Sequence, residues 1–151
     1  MPISNSEPVL IPYIIFSDSV IREMGTGKLS FIGTFQQFNA PRFPLPVAPF
    51  FVTPKITNIS GKLEKLKLTV RIEEPDSGVV VANVGGEVNS EKELPREADI
   101  EIPFPMAGVV FQRAGVYDVI ILLNNENIGK RSIRVVAMTG GSQQLKITPE
   151  G

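Results

Sequence analysis

Alternation of apolar and polar residues is the feature that most restricts the fold of this chain. In residues 66–73 (LKLTVRIE) every second residue is apolar, and charged or polar residues fill the places between them. Residues 97–104 repeat the pattern, and residues 117–123 carry a third apolar series at every second place. Because successive side chains of a β-strand point to opposite faces, each segment predicts a strand with one buried face.

Further segments are rich in β-branched and aromatic residues, which favours strands. They are residues 9–16, 29–35, 50–59, 79–84 and 128–137. Turn formers separate them at residues 25–27, 75–78, 85–86 and 124–127.

Helical periodicity is absent from every window of about 11 or more residues. The strongest helix candidate is residues 17–24, where Ser17 or Asp18 would cap about two turns that end at Gly25. We expect a turn or a short helix there. Residues 90–94 are a weaker candidate, which Pro95 would end.

Several short strands joined by turns predict an all-β fold, an antiparallel β-sandwich of immunoglobulin-like type. Residues 9–138 form this single domain, and residues 1–8 and 139–151 are expected to be flexible. The most secure element is a hairpin from Gly115 through residues 124–127 to Ala137. Tyr117 is its candidate tyrosine-corner residue, with the hydroxyl bonded to nearby backbone.

Composition excludes several classes of site. The chain has no cysteine and no histidine, so it has no disulfides, no thiolate or imidazole metal ligands and no Ser–His–acid triad. Its formal net charge is −1, which gives no reason to expect a nucleic acid or a membrane as partner. We therefore expect no cofactor, no metal and no enzymatic activity. Residues 1–8 contain no basic residue before the first apolar run, so we expect a cytoplasmic protein.

A segment rich in proline and phenylalanine covers residues 38–51. Prolines stiffen the backbone and the rings offer apolar surface, so one interpretation is a docking segment for a protein partner. Its binding residues would be Phe38, Phe43, Phe50 and Phe51. The other interpretation is a crossover between sheets whose rings close the end of the sandwich, and it is favoured because Greek-key folds need such connections.

An acidic site is the alternative to a protein-binding surface. Asp18 lies between two serines and, with Glu23 or Asp76, would serve a hydrolase or a small-molecule-binding protein. The opposing interpretation, which we favour, is that Asp18 and Asp76 bind turn backbone.

Some predicted strands are apolar on both faces. Residues 9–16 have apolar residues in both alternating sets, and Ile120 and Leu122 occupy outer positions of their strand. Because the outer face of a two-layer fold needs a cover, we predict a homo-oligomer with these strands at the interface.

Residues 14–35 resemble the opening of a family of short, uncharacterised prokaryotic proteins. The shared features are an apolar strand ending in Asp18, the turn Gly27-Lys28-Leu29-Ser30 and the strand that follows it. A proline-rich connection and the pair Gly115 and Tyr117 extend the resemblance over residues 9–137. The resemblance implies a β-rich domain of unknown function and transfers no activity. The sequence thus predicts a non-catalytic module that binds a protein partner or itself.

Overall fold

The computed structural model describes residues 10–59, 61, 63–95, 98–138 and 148–149, and these form twelve β-strands and no helix. The strands are β1 Leu10–Arg22, β2 Leu29–Thr34, β3 Gln37–Ala40, β4 Leu45–Pro46, β5 Phe50–Thr57, β6 Leu66–Glu73, β7 Val80–Val88, β8 Ile100–Glu101, β9 Phe104–Met106, β10 Val110–Phe111, β11 Gly115–Leu123 and β12 Glu126–Ala137. The all-β class is confirmed, whereas the immunoglobulin-like assignment stays a prediction. The segments predicted to be flexible, 1–8 and 139–151, lie outside the described residues except for 148–149. No helix that is long and apolar enough to span a membrane occurs in the described part of the chain.

Two sheets make up most of the fold. The first has the strand order β2-β1-β5, and both β8 and β9 pair with β5. The second has the order β3-β12-β11-β6-β7. Neighbouring strands are antiparallel except for β3, which runs parallel to β12, and a separate pair joins β4 to β10.

One buried cluster joins the two sheets. Val52 and Ile56 come from the first sheet, and Val70, Val119 and Ile133 come from the second. Each of these five side chains has no exposed surface. The alternation seen in the sequence therefore corresponds to one face of each sheet turned toward a shared apolar core.

The prediction of a turn or a short helix over residues 17–24 is wrong. β1 continues to Arg22 and pairs with β2, so that Ser19 lies opposite Ile32 and Ile21 opposite Ser30. Gly25 and Gly27 have φ values of 88° and 70° in the turn between the strands, a conformation that favours glycine. The β-branched residues at 20 and 21 favour a strand once this partner is present.

Two other local predictions are also wrong. Leu94 forms an isolated β-bridge with Gly61 in place of the helix considered over residues 90–94. Gly85 and Gly86 lie inside β7, opposite Thr69 and Leu68, and do not form a turn. Pairing along the whole of β6 keeps this glycine-containing segment extended.

The hairpin of β11 and β12 is confirmed. Its turn residues Asn124 and Asn125 have φ values of 49° and 68°, the left-handed backbone that asparagine tolerates better than most residues. The Asn124 side-chain oxygen also accepts a hydrogen bond of 3.0 Å from the Lys67 backbone N–H, which ties the turn to β6.

Candidate interaction surface

The phenylalanines predicted to bind a partner lie at different depths. Phe50 is 2% exposed, and its ring centroid lies 5.7 Å from that of Phe35 and 5.3 Å from that of Phe38. Phe38 is half-buried and also contacts Phe111, with ring centroids 5.4 Å apart. The rings of Phe50 and Phe38 thus belong to an aromatic cluster that continues into the core.

Phe43 and Phe51 are both half-buried, but they contact different parts of the fold. Phe43 packs against the core cluster. Phe51 lies between Ser17 of β1 and Pro105 of β9, and it does not belong to the core or to the residues packed against it. The structure therefore brings Phe38, Phe43 and Phe50 to the core and leaves Phe51 on the opposite face of the first sheet.

Tyr117 has the backbone hydrogen bond predicted for it. Its hydroxyl donates to the Arg113 carbonyl at 2.6 Å, and its ring lies 4.8 Å from that of Phe111. Burial raises the pKa of the phenol, so the hydroxyl keeps the proton that it donates. The hydrogen bond fixes the chain just before β11 onto the aromatic cluster.

Removal of this hydroxyl gives a direct test of that role. We expect Tyr117→Phe to lower the free energy of unfolding by about 1 kcal/mol, because this part-buried hydrogen bond is lost while the ring packing stays. Urea unfolding of the variant measures this loss. An unchanged midpoint for Tyr117→Phe would contradict the assignment.

The three acidic residues of the alternative site are not brought together. Asp18 is an exposed residue of β1, and its carboxylate lies over Gly33 of β2. Glu23 begins the β1–β2 turn, and its N–H bonds the Lys28 carbonyl at 2.8 Å. Asp76 belongs to the turn between β6 and β7, which is part of the other sheet. The described residues contain no group of three or more acidic side chains placed to hold a metal ion.

Arg131 joins the two sheets where β1 meets β12. Its guanidinium donates to the Ile14 carbonyl and lies 4.7 Å from the centre of the Phe16 ring. β2 pairs with β1 only from Ser17 onward, so no described strand on that side supplies a donor to the Ile14 carbonyl. Close by, a Cβ on Gly129 would lie 2.8 Å from the Ile11 side chain, so only glycine fits at that position without a shift. The role of Arg131 is therefore structural: its side chain connects β1 to β12.

The outer face of β11 is covered within a single chain. Ile120 and Leu122 are 7% and 6% exposed although they do not belong to the core cluster. Arg71 and Lys130 flank Ile120 on the neighbouring strands, where their aliphatic stems can shield it. Ile120 and Leu122 are therefore buried without a second copy of the chain over them. The homo-oligomer stays a prediction.

β7 forms one of the two edges of the second sheet. β7 is the last strand in the sheet order and pairs only with β6 among the described strands. Its nine residues include no proline and no lysine, and Glu87 is its one charged residue. Edge strands are usually protected from pairing by proline, lysine, an inward-pointing charge or a β-bulge. β7 has a register shift at Val81, and its pairing with β6 is regular from Ala82 to Val88. At the inward position Gly86, an added Cβ would meet no heavy atom within 4 Å.

A polar cleft of about 550 Å³ lies on the outer face beside this edge. Gly85 leaves its floor without a side chain, while Lys67, Arg71, Asn83 and Glu87 line it. The Lys67 ammonium lies 3.5 Å from the Asn125 side-chain oxygen. Within the described part of the chain, neither Arg71 nor Glu87 takes part in an ion pair. Glu87 lies directly opposite Lys67 in the sheet, whereas Arg71 lies between Asn83 and Ile120 and has no acidic residue opposite it. Arg71 is therefore the cation of the cleft that is available to a carboxylate from outside.

Sequence reasoning missed this surface because the two glycines were interpreted as a turn. The available signal was the length of residues 80–88, a β-rich segment without proline or lysine. The absence of proline and lysine leaves a strand open to pairing with another chain only if that strand lies at the edge of its sheet. The order of strands decides this, and no local pattern contains it.

Comparison with known proteins identifies one family. The model of a family of unknown function, DUF6941, matches residues 12–136. A 58-residue stretch is 45% identical to the large ribosomal subunit protein uL1 of Pyrococcus horikoshii and covers 38% of this chain and 25% of that protein. The chain thus spans about a quarter of this relative.

Solved structures give weaker similarities. The DNA glycosylase AlkC of Pseudomonas fluorescens, solved with DNA that contains an abasic site analogue, has a TM-score of 0.48 at 14% identity, over 85% of this chain and 30% of its own. The β-glucosidase of Listeria innocua has a TM-score of 0.39 at 12% identity, over 82% of this chain and 16% of its own. At these levels neither activity is transferred to this chain.

Proposed function

We propose that this chain, which belongs to the family of unknown function DUF6941, is a non-catalytic module that binds a protein partner by strand addition at β7. The observation that carries the proposal is the free edge of β7 from Ala82 to Val88, which has no proline, lysine or bulge and lies beside a cleft in which Arg71 has no ion-pair partner among the described residues. Strand addition obtains affinity from backbone hydrogen bonds and specificity from pockets for alternate side chains. The free edge of β7 supplies backbone groups for the hydrogen bonds, and the cleft supplies a pocket for a side chain.

The non-catalytic part of the proposal rests on residue chemistry. The chain has no histidine and no cysteine, and Asp18, Glu23 and Asp76 are distributed over both sheets. Acid–base catalysis needs groups that converge on one reacting atom. The cleft beside β7 has lysine, arginine and asparagine side chains that suit recognition of a polar or acidic side chain.

A crosslinking experiment on the full chain tests the use of this edge. A photoreactive phenylalanine analogue replaces Val80, which is 50% exposed at the start of β7. We expect a defined protein adduct after irradiation, and its loss when Gly86→Lys is added. The lysine would place a charge at an inward position of the edge, where the added Cβ meets no atom, so the fold should persist.

Gln112→Lys is the matched control, because it adds the same charge at an exposed position between β10 and β11. The adduct should persist in this control. Failure to form an adduct, or equal yields with Gly86→Lys and Gln112→Lys, would overturn the proposed use of β7.

A further inference from the structure

We infer that the partner of β7 is a second copy of this chain, paired antiparallel about a two-fold axis at Gly86. This inference rests on the proposed function and adds the identity of the partner and the register of pairing. A two-fold axis requires the edge to complement itself, since each contact occurs twice. The sequence of β7 meets that requirement in this register.

The inward face of the joined strands would be apolar. With Gly86 opposite Gly86 of the second copy, Val84 lies opposite Val88 of that copy. Val84 and Val88 are already half-buried against the core in one chain. Pairing would therefore extend the apolar face of the second sheet across the axis and leave no charge on that face.

The outward face would pair the unsatisfied charges of the cleft. In this register Glu87 of the second copy lies opposite Gly85, which has no side chain to obstruct it. Thr69 lies next in that row on β6, with Lys67 and Arg71 two positions to either side. Neighbouring strands are about 4.8 Å apart, so a glutamate can cross the glycine and meet both cations.

Neighbouring registers lack this match. A shift of the pairing by one residue on each strand in one direction places Glu87 opposite Glu87 of the second copy, which brings like charges together. The same shift in the other direction places Glu87 opposite Asn83, whose side chain then stands between the carboxylate and Arg71. The register about Gly86 is the one in which glycine and carboxylate face each other.

Two charge-reversal variants, studied alone and as a mixture, test the proposed β7–β7 pairing. Sedimentation equilibrium of the purified chain should show a dimer, twice the 16.5 kDa of one chain. Glu87→Arg and Arg71→Glu should each weaken the dimer by at least about tenfold, because position 87 of each copy then meets a like charge at position 71 of the other copy in both contacts. An equimolar mixture of the two variants should recover the dimer, because both contacts in the mixed pair join opposite charges.

The mixture separates pairing from a general loss of stability. Damage to the fold of either variant would persist in the mixture, and urea unfolding of each variant measures such damage directly. A chain that stays at 16.5 kDa at every concentration overturns the inference, and so does a mixture that does not associate. If the crosslink from position 80 joins a different protein and still depends on Gly86, the inference fails while the proposed function stands. If no crosslink forms and the chain is monomeric, both fail.

Discussion

Replacement of Phe50 by alanine should lower the free energy of unfolding by about 3–5 kcal/mol, the range for large buried aromatic side chains. Phe50 is 2% exposed, and it contacts the rings of Phe35 and Phe38. The loss combines the transfer of the ring out of the core with the cavity left among rigid neighbours. Urea unfolding followed by circular dichroism measures the change.

The neighbouring residue provides the matched control. Phe51 is half-buried and lies outside the core cluster, so Phe51→Ala should cost clearly less. Equal losses in the two variants would contradict the placement of the two rings on opposite faces of β5. If Phe50→Ala does not change the free energy of unfolding, Phe50 is not a core residue, and its interpretation as a recognition residue is supported instead.

Removal of the Arg131 side chain is expected to have the second-largest effect, with a loss of about 3 kcal/mol for Arg131→Ala. The variant leaves the Ile14 carbonyl without its donor, and β2, which pairs with β1 only from Ser17 onward, does not replace that donor. It also removes the cation that lies 4.7 Å from the centre of the Phe16 ring. Hydrogen exchange in residues 13–16 should increase, because Ile14 and Phe16 contact Arg131 of β12 there.

Arg134→Ala is the control for this variant. Arg134 is an exposed residue of the same strand, so its loss should change stability by no more than about 0.5 kcal/mol. Arg131→Lys keeps the charge but not the planar group that donates and stacks, and it should fall between the two. If Arg131→Ala and Arg134→Ala cost the same, the contact between β1 and β12 through Arg131 is not a source of stability.

Some elements were predictable because their signal is local. The pattern of residues 66–73 gave β6 with its observed bounds, and the asparagines at 124 and 125 gave the turn between β11 and β12. The hydrogen bond of Tyr117 was also anticipated, because its donor and acceptor lie four residues apart. Each of these predictions depended on periodicity or on backbone preference within a few residues.

Other elements depended on partners far away in the chain. The second half of β1 is a strand because β2 pairs with it, and the short β3 exists because it lies parallel to β12. Gly85 and Gly86 stay extended because β6 runs beside them. Local preference favours turns or leaves such segments undecided, and the backbone hydrogen bonds of the sheet decide between the alternatives.

The amino-acid pattern by itself determined that this protein is built from strands and that it has no histidine and no cysteine. Tertiary structure alone decided which strand lies at an edge, and so placed Gly85, Glu87 and Arg71 around one cleft. It also decided that Phe50 packs inside while Phe51, its neighbour, lies on the other face. The physical reason is that side chains alternate between the two faces of a strand, so the local sequence indicates which residues share a face. Which strand lies at an edge, and which face is buried, depends on contacts between distant parts of the chain.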